Sequence, residues 1–235
     1  MLLDQREEAL DKALNELKDQ GYEALTRACD VTDAQACEQV FSSLAQQLGS
    51  LDILINNAGI SHRSLFVDTD PQVVRRVMEV NFFGSVNCTR AALPWLLESK
   101  GVIVAISSVA GFAPLMGRTA YSASKHALHG FFESLRSELA DRGVRVLMVC
   151  PGFTNTALDK RALNGAGQAL DSDRRPVGRQ LEPEEVARQV LDAIRRNKRL
   201  ILPSAIAKLS WWVCRFSPRS YERLMVRSQA PEFES

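Results

Sequence analysis

Tyr121 and Lys125 stand four positions apart, with no Pro or Gly between them. On a helix this spacing places both side chains on one face, one turn apart. A phenol has a reference pKa near ~10, and a cation held beside it favours the phenolate and lowers that pKa. Ser108 follows an apolar run over 101–107, where its hydroxyl could donate a hydrogen bond to a carbonyl oxygen. An ordinary amphipathic helix after a strand fits the same spacing, so the pattern alone leaves both interpretations open.

The elements that position these residues alternate along the chain. Apolar runs predict strands at 1–4, 24–29, 51–55, 101–106, 143–150 and 199–202. Periodic apolar residues predict helices at 5–20, 34–48, 70–97, 120–142 and 182–195. This alternation indicates an α/β fold, a doubly wound parallel sheet with helices on both faces. With 235 residues, 46% of them hydrophobic, we expect a single domain with a substantial core.

Four segments in order carry a resemblance to a known family. Tyr121-Ser-Ala-Ser-Lys125 with Ser108 upstream resembles the catalytic core of the classical short-chain dehydrogenase/reductase family. Asn-Asn-Ala-Gly at 56–59 after a strand, Asn81 inside a predicted helix, and 151–156 after another strand match the same family pattern. The resemblance covers roughly residues 2–203 and implies a Rossmann-like, NAD(P)-binding catalytic domain.

The family's first strand and its glycine-rich Thr-Gly-x-x-x-Gly-x-Gly turn have no counterpart in this sequence. In the usual strand order that first strand lies between the second and the fourth. We therefore expect residues 1–203 to form a truncated domain with a split sheet and no glycine-rich phosphate site. Residues 157–181 are expected to form the substrate loop, and residues 204–235 a basic, tryptophan-containing C-terminal extension.

The resemblance implies hydride transfer between a nicotinamide cofactor and an alcohol or a ketone or aldehyde. Tyr121 would be the general acid-base, Ser108 would hold the substrate oxygen, and Lys125 would lower the tyrosine pKa and bind ribose hydroxyls. Asn81 would anchor a water that relays protons from Lys125. The structural alternative for Asn81 is a helix residue that bonds a backbone carbonyl.

The cofactor is NAD or NADP. Asp4 sits where the family places a carboxylate that accepts bonds from the adenosine ribose, which slightly favours NAD. Arg6 could instead meet a 2′-phosphate, so the choice stays open. Asp30 resembles an adenine-contacting residue, although it could equally cap the next turn. The cofactor contacts expected from the resemblance are Asp4, Asp30, Val31, Asn56, Ala58, Gly59, Tyr121, Lys125, Pro151, Gly152, Phe153, Thr154 and Thr156.

The substrate is the least determined part. Phe112 and Met116 are expected to line the mouth of the site beside Ser108 and Tyr121, which suggests a lipophilic alcohol or ketone. The alternative is that these apolar residues only pack the lid.

The C-terminal extension opens other classes of function. Basic residues dominate 195–227, with Trp211, Trp212 and Phe216 among them. Such a segment can lie at a bilayer interface, so 204–227 is a candidate for peripheral membrane contact. A helix that covers the substrate cleft or a subunit interface is the other interpretation of this segment. A membrane-associated binding protein is therefore one alternative to an enzyme, and the missing glycine-rich turn supports another, a non-catalytic or inactive dinucleotide-fold protein.

The composition limits the classes of partner that the protein is expected to bind. A net charge of +1 gives no reason to expect nucleic acid, and three dispersed histidines do not suggest a metal site. Five scattered cysteines are typical of a reduced, cytoplasmic protein. The family usually pairs two helices across a two-fold axis, so we expect a homodimer or homotetramer. Val73, Phe131 and Phe132 are predicted to face outward there.

Overall fold

The computed structural model describes residues 1–156, 158, 161–170 and 179–233. Residues 157, 159–160 and 171–178 of the predicted substrate loop therefore lie outside the described part. The strands are β1 (Leu2–Asp4), β2 (Thr26–Ala28), β3 (Ile53–Asn56), β4 (Val102–Ile106), β5 (Arg145–Val149) and β6 (Leu200–Ile201). The helices are α1 (Glu7–Asp19), α2 (Ala34–Leu48), α3 (Pro71–Met78), α4 (Gly84–Ser99), α5 (Thr119–Glu138), α6 (Pro183–Arg195), α7 (Ala205–Phe216) and α8 (Pro218–Gln229).

The strands form two parallel sheets. One has the order β3-β4-β5-β6, and the other pairs β1 with β2. The expected split of the sheet is therefore confirmed. Because β3 is an edge strand of its sheet, Ile53 and Ile55 stay 41% and 49% exposed. Native proteins usually cover or protect strand edges that have unpaired backbone groups and apolar side chains.

The core lies on both faces of the four-stranded sheet, as the doubly wound pattern predicts. Alternate residues of β4 point to opposite faces, as in any strand. Ile103 and Ala105 pack in the large cluster formed with α2, α4 and α5. Val102 and Val104 pack on the other face, against Val190 and its neighbours on α6.

The helix predicted over 70–97 is interrupted. It ends as α3 at Met78, continues as a π-helical turn over Glu79–Phe83, and resumes as α4 at Gly84. A π turn holds one more residue than an α turn, and such turns are frequent at functional sites. This one contains Asn81, which is fully buried.

Two of the three residues predicted to face outward do not. Val73 and Phe132 are buried, so that prediction is wrong for them, whereas Phe131 is half-buried. Val73 packs with Ala120 and Leu163, and Phe132 belongs to the main core, because the apolar faces of α3 and α5 are turned toward the rest of the chain.

The C-terminal extension forms α7, α8 and a short 3₁₀ turn over Ala230–Glu232. Ser204 caps α7 by accepting a hydrogen bond from the Ala207 amide at 3.1 Å. Across the described residues, helices long and apolar enough to cross a membrane are absent.

Candidate active site

Ser108 stands just beyond the carboxyl end of β4. It begins the 3₁₀ turn over Val109–Gly111, where its Oγ accepts a hydrogen bond from the Ala110 amide at 3.2 Å. The hydroxyl proton of Ser108 is not used in that bond. The neighbouring Ser107 is buried, and its Oγ donates to the Lys125 carbonyl at 3.3 Å. Ser107 thus ties β4 to α5, while the half-buried Ser108 is placed to meet a ligand.

Tyr121 and Lys125 lie on the first turns of α5 and are both buried. The Lys125 Nζ lies 5.6 Å from the centroid of the Tyr121 ring and donates to the Ile106 carbonyl at 2.9 Å. Burial lowers the pKa of Lys125 to about 8, so in most molecules this side chain is still charged at neutral pH. The bond to Ile106 holds this charge at the end of β4, beside Ser108.

Asn81 is held by three buried hydrogen bonds. Its Oδ1 accepts from the Ile60 amide at 2.8 Å, and its Nδ2 donates to the Ile60 carbonyl and to Ser124 Oγ, both at 2.9 Å. The structural alternative weighed for this residue, a bond to a backbone carbonyl, is therefore present. The same bonds place the Asn81 amide beside α5, one residue from Lys125.

The segment after β3 approaches these groups closely. A Cβ at Gly59 would lie 3.2 Å from Asn81 Oδ1 and 3.7 Å from Lys125 Nζ, so a larger residue would crowd both. Ala58 beside it is exposed. Asn56 is buried, and its Nδ2 donates to Thr89 Oγ1 at 2.9 Å, which ties the end of β3 to α4.

The segment after β5 lies beside Ser108. The Pro151 carbonyl accepts from the Val109 amide at 3.0 Å, and the Phe153 carbonyl accepts from Leu181 at 2.9 Å. Thr154 Oγ1 is buried with no hydrogen-bond partner among the described residues. A buried hydroxyl without a partner is costly and fits a position that a ligand satisfies. Thr156 is exposed, and Gly152 faces Ser204 at the start of the C-terminal extension.

Asp4 ends β1 of the separate two-stranded sheet, and Asp30 lies in the loop after β2. The Arg6 amide and its Nε donate to Asp4 Oδ1 at 2.9 and 3.2 Å. The pKa of Asp4 is lowered: burial opposes the shift, and the bonds and charge of Arg6 outweigh it. Asp30 Oδ1 accepts from the amide and the hydroxyl of Thr32, both at 2.9 Å, so it does cap the turn. Val31 contacts the start of α4 at Gly84.

Phe112 and Met116, the predicted mouth residues, are covered by the C-terminal extension. The Phe112 ring packs edge-on against Trp211 with centroids 4.9 Å apart, and Cys214 Sγ donates to the Phe112 carbonyl at 3.2 Å. The Met116 amide donates to Met225 Sδ at 3.0 Å.

Further along the same segment, Tyr221 Oη donates to the Ala113 carbonyl at 3.3 Å, and a Cβ at Gly117 would collide with the Phe233 ring. None of these covering residues was assigned to the site from the sequence, although the interpretation of the extension as a covering helix describes their position over Phe112. Their signal was present, because Ala207, Trp211 and Cys214 share one face of a helix at spacings of three and four.

A Cys-His-Glu arrangement lies under the site. Cys150 Sγ and His129 Nε2 are 3.4 Å apart, and His129 Nδ1 is 3.3 Å from Glu133 Oε1. Cys150 is fully buried, and burial raises the pKa of its thiol to about 12. A neutral, inaccessible thiol is a poor nucleophile, so this arrangement does not support covalent catalysis.

Comparison with known proteins identifies the family of this chain. A family model described as short chain dehydrogenase matches residues 1–166. Dehydrogenase/reductase SDR family member 7B of Bos taurus is 35% identical over 218 residues, which cover 92% of this chain and 67% of that protein.

Two solved structures show the same fold. A short chain dehydrogenase/reductase of Burkholderia phymatum in complex with NAD has a TM-score of 0.80 at 22% identity, over 91% of this chain and 83% of that one. A short chain dehydrogenase of Burkholderia cenocepacia J2315 in complex with NADP has a TM-score of 0.73 at 25% identity, over 86% and 78%. From the family model and the bovine relative together, the chain belongs to the short-chain dehydrogenase/reductase family.

Proposed function

We propose that this oxidoreductase interconverts a lipophilic alcohol and its ketone or aldehyde, with Tyr121 as the general acid-base. The observation that carries the proposal is the buried Lys125 ammonium, 5.6 Å from the Tyr121 ring and bonded to the end of the strand that presents Ser108. A charged donor held in a place poor in water stabilises a phenolate more than it would in solvent.

In this mechanism a bound nicotinamide dinucleotide supplies or accepts the hydride. The Oη atom of Tyr121 gives a proton to the substrate oxygen, or takes a proton from it in the reverse direction. The Ser108 hydroxyl does not use its proton in the bond with Ala110. It donates a hydrogen bond to the same substrate oxygen and holds that oxygen beside the tyrosine. Lys125 keeps its charge near Tyr121 through both directions of proton transfer.

The described residues fit the nicotinamide end of such a cofactor. Thr154 Oγ1 needs a partner that a carboxamide would provide, and the lack of a side chain at Gly59 brings the backbone after β3 close to Lys125. We assign Pro151, Gly152, Phe153 and Thr156 to the same end, with Ala58 beside Gly59 and Asn56 holding the end of β3. Asp4, Asp30 and Val31 would contact the adenosine end.

Proton exchange with solvent is assigned to the Asn81 region. Asn81 bonds both the backbone amide and the backbone carbonyl of Ile60, and it also bonds Ser124 of α5. A water bonded near the Ile60 carbonyl would link Lys125 to the exterior. Asn81 then acts as a positioning residue for that water.

The proposal of a lipophilic substrate rests on the wall made by Phe112, Met116 and Trp211. Two of these are aromatic and pack edge to face, which gives a firm apolar surface next to Ser108. The proposed position of the substrate loop is supported by its described part. The Leu163 amide donates to the Ser61 carbonyl at 2.9 Å, and the Arg63 amide donates to the Leu163 carbonyl at 2.7 Å.

The test is Tyr121→Phe, assayed with NADH and NADPH against a panel of lipophilic ketones and alcohols. Loss of the general acid-base should lower kcat at least ~100-fold. Cofactor affinity, measured by calorimetric titration, should change little, because only the hydroxyl is removed. Tyr22→Phe is the matched control, since Tyr22 is exposed and far along the chain from the site.

Turnover of Tyr121→Phe within a few-fold of the parent would overturn the assignment. A parent that binds cofactor tightly but turns over no member of the panel would favour the non-catalytic alternative.

We further propose that the Asp4–Arg6 pair sets the choice between NAD and NADP, with NAD favoured. The ionised Asp4 can accept ribose hydroxyls and repels a 2′-phosphate. Asp4→Ser should therefore raise kcat/KM for NADPH relative to NADH, and Arg6→Gln should lower it. Opposite shifts would refute this assignment.

Location and assembly are also proposals. All five cysteines are free, which supports a reducing compartment such as the cytoplasm. A homodimer or homotetramer that pairs the segments 70–97 and 120–142 is supported by the half-exposed aromatic cluster of Phe82, Phe83 and Phe131, the first two of which lie in the π turn before α4. Centroids in it lie 5.0 and 5.9 Å apart.

A further inference from the structure

The outward sides of α7 and α8 are exposed, and the site does not use them. On α7, Leu209, Trp212 and Phe216 follow at spacings of three and four, and they are 59%, 59% and 73% exposed. The rings of Trp212 and Phe216 are stacked, with centroids 5.4 Å apart and planes 11° apart. The inward side of the same helix carries Ala207 and Cys214 against the body of the protein.

The outward side of α8 is basic. Arg219, Arg223 and Arg227 are spaced by four, share one face and are all exposed, while Tyr221 and Gln229 on the opposite face are buried. Together with Leu209, Trp212 and Phe216 we call these three arginines the basic aromatic surface.

The flanks of the basic aromatic surface are also positive. Lys208 and Arg215 are exposed on α7, to one side of its apolar ridge. Residues 204–227 thus hold five cationic side chains against one carboxylate, Glu222.

We propose that the basic aromatic surface docks on anionic phospholipid bilayers. Tryptophan, phenylalanine and leucine lose unfavourable water contact at the boundary between headgroups and acyl chains, and tryptophan is enriched there. Arginines beside such a ridge reach the phosphates of the headgroups, and anionic lipid adds long-range attraction. The helix ridge lies outermost, so it can enter the interface without disturbing the packing of its inner side.

Charge complementarity selects this occupant over a second copy of the chain. A symmetric contact would bring two copies of this cationic surface together, and Glu222 is the one carboxylate of residues 204–227 that could offset their charges, which is unfavourable. A bilayer with anionic lipid presents the opposite sign across the whole surface. The inference does not depend on the proposed reaction, because Ser108, Tyr121 and Lys125 lie outside the surface.

The test uses sedimentation of the full chain with vesicles of phosphatidylcholine, alone or mixed with phosphatidylserine, at low and high salt. The parent should bind the mixed vesicles at low salt and be released at high salt. Two variants, Arg219→Gln/Arg223→Gln/Arg227→Gln and Trp212→Ser/Phe216→Ser, should each bind at least ~10-fold more weakly. The tryptophan fluorescence emission of the parent should shift to shorter wavelength when the protein binds the vesicles.

The matched control is Lys18→Gln/Arg90→Gln/Arg142→Gln, which removes three exposed charges elsewhere. It should bind as the parent does, and circular dichroism should show that all variants are folded. Three results would overturn the proposal: no binding of the parent to mixed vesicles at low salt, an equal loss in the control, or no loss in either variant.

Discussion

Acid should destabilise the protein through His62. This side chain is 0% exposed, and its two ring nitrogens have no hydrogen-bond partner among the described residues. Arg118 lies beside it and donates from Nη1 to the His62 carbonyl at 3.2 Å. Burial, with a smaller effect of the Arg118 charge, lowers the pKa of the imidazole from 6.5 to about 4.

The sign follows from proton counts. Between pH 6.5 and about 4 the unfolded chain protonates His62 while the folded chain keeps it neutral. The free energy of unfolding therefore falls as the pH falls through this window, by about 1.4 kcal/mol per unit. Lowering the pH from about 6.5 to about 5 should cost about 2 kcal/mol from this group.

Urea unfolding of the parent and His62→Leu at about pH 7 and about pH 5 measures the effect. The variant should lose about 2 kcal/mol less than the parent on acidification. Burial also lowers the pKa of His129, against the effect of Glu133, so His129 contributes to both proteins and cancels in the difference. His126→Gln, an exposed histidine, is the control. An equal acid loss in parent and His62→Leu would refute the reasoning.

Three further predictions follow from close contacts. In Gly84→Ala the new Cβ would lie 2.5 Å from Val31 Cγ2, so Val31 must move, and KM for the cofactor should rise more than kcat falls in steady-state assays. In Gly117→Ala, a φ of +64° and the Phe233 ring both oppose the methyl group, so Tm should drop by several degrees in calorimetry. Phe83→Glu should reduce the mass measured by light scattering to that of a monomer, and a monomeric parent would contradict the proposed pairing.

Local patterns made much of this structure predictable. The apolar run before Ser108 and the spacing of Tyr121 and Lys125 are properties of neighbouring residues, and the structure has a strand and a helix there. The split sheet followed from counting strands against the usual order.

Other features depend on partners distant in the chain. The π turn around Asn81 is hidden in the sequence, because the buried positions 77, 81, 85 and 88 keep spacings of three and four that a continuous helix also shows. Which face of α3 is buried depends on Ala120 and Leu163, so the outward orientation predicted for Val73 was wrong. The cover over Phe112 is formed by residues about a hundred positions later, so spacing indicates that this helix has a buried face but does not indicate what that face packs against.

The docking of the C-terminal extension has a consequence for the order in which the chain is completed during synthesis. Phe112 and Met116 meet partners 102 and 109 positions later, so they leave the ribosome long before those partners. Contacts of such long range form late, since the intervening chain must be ordered first. A nascent chain that ends before α7 would therefore present Ser108 and Tyr121 beside an uncovered apolar segment. The wall of the proposed substrate site is thus the last part of the proposed catalytic centre to form.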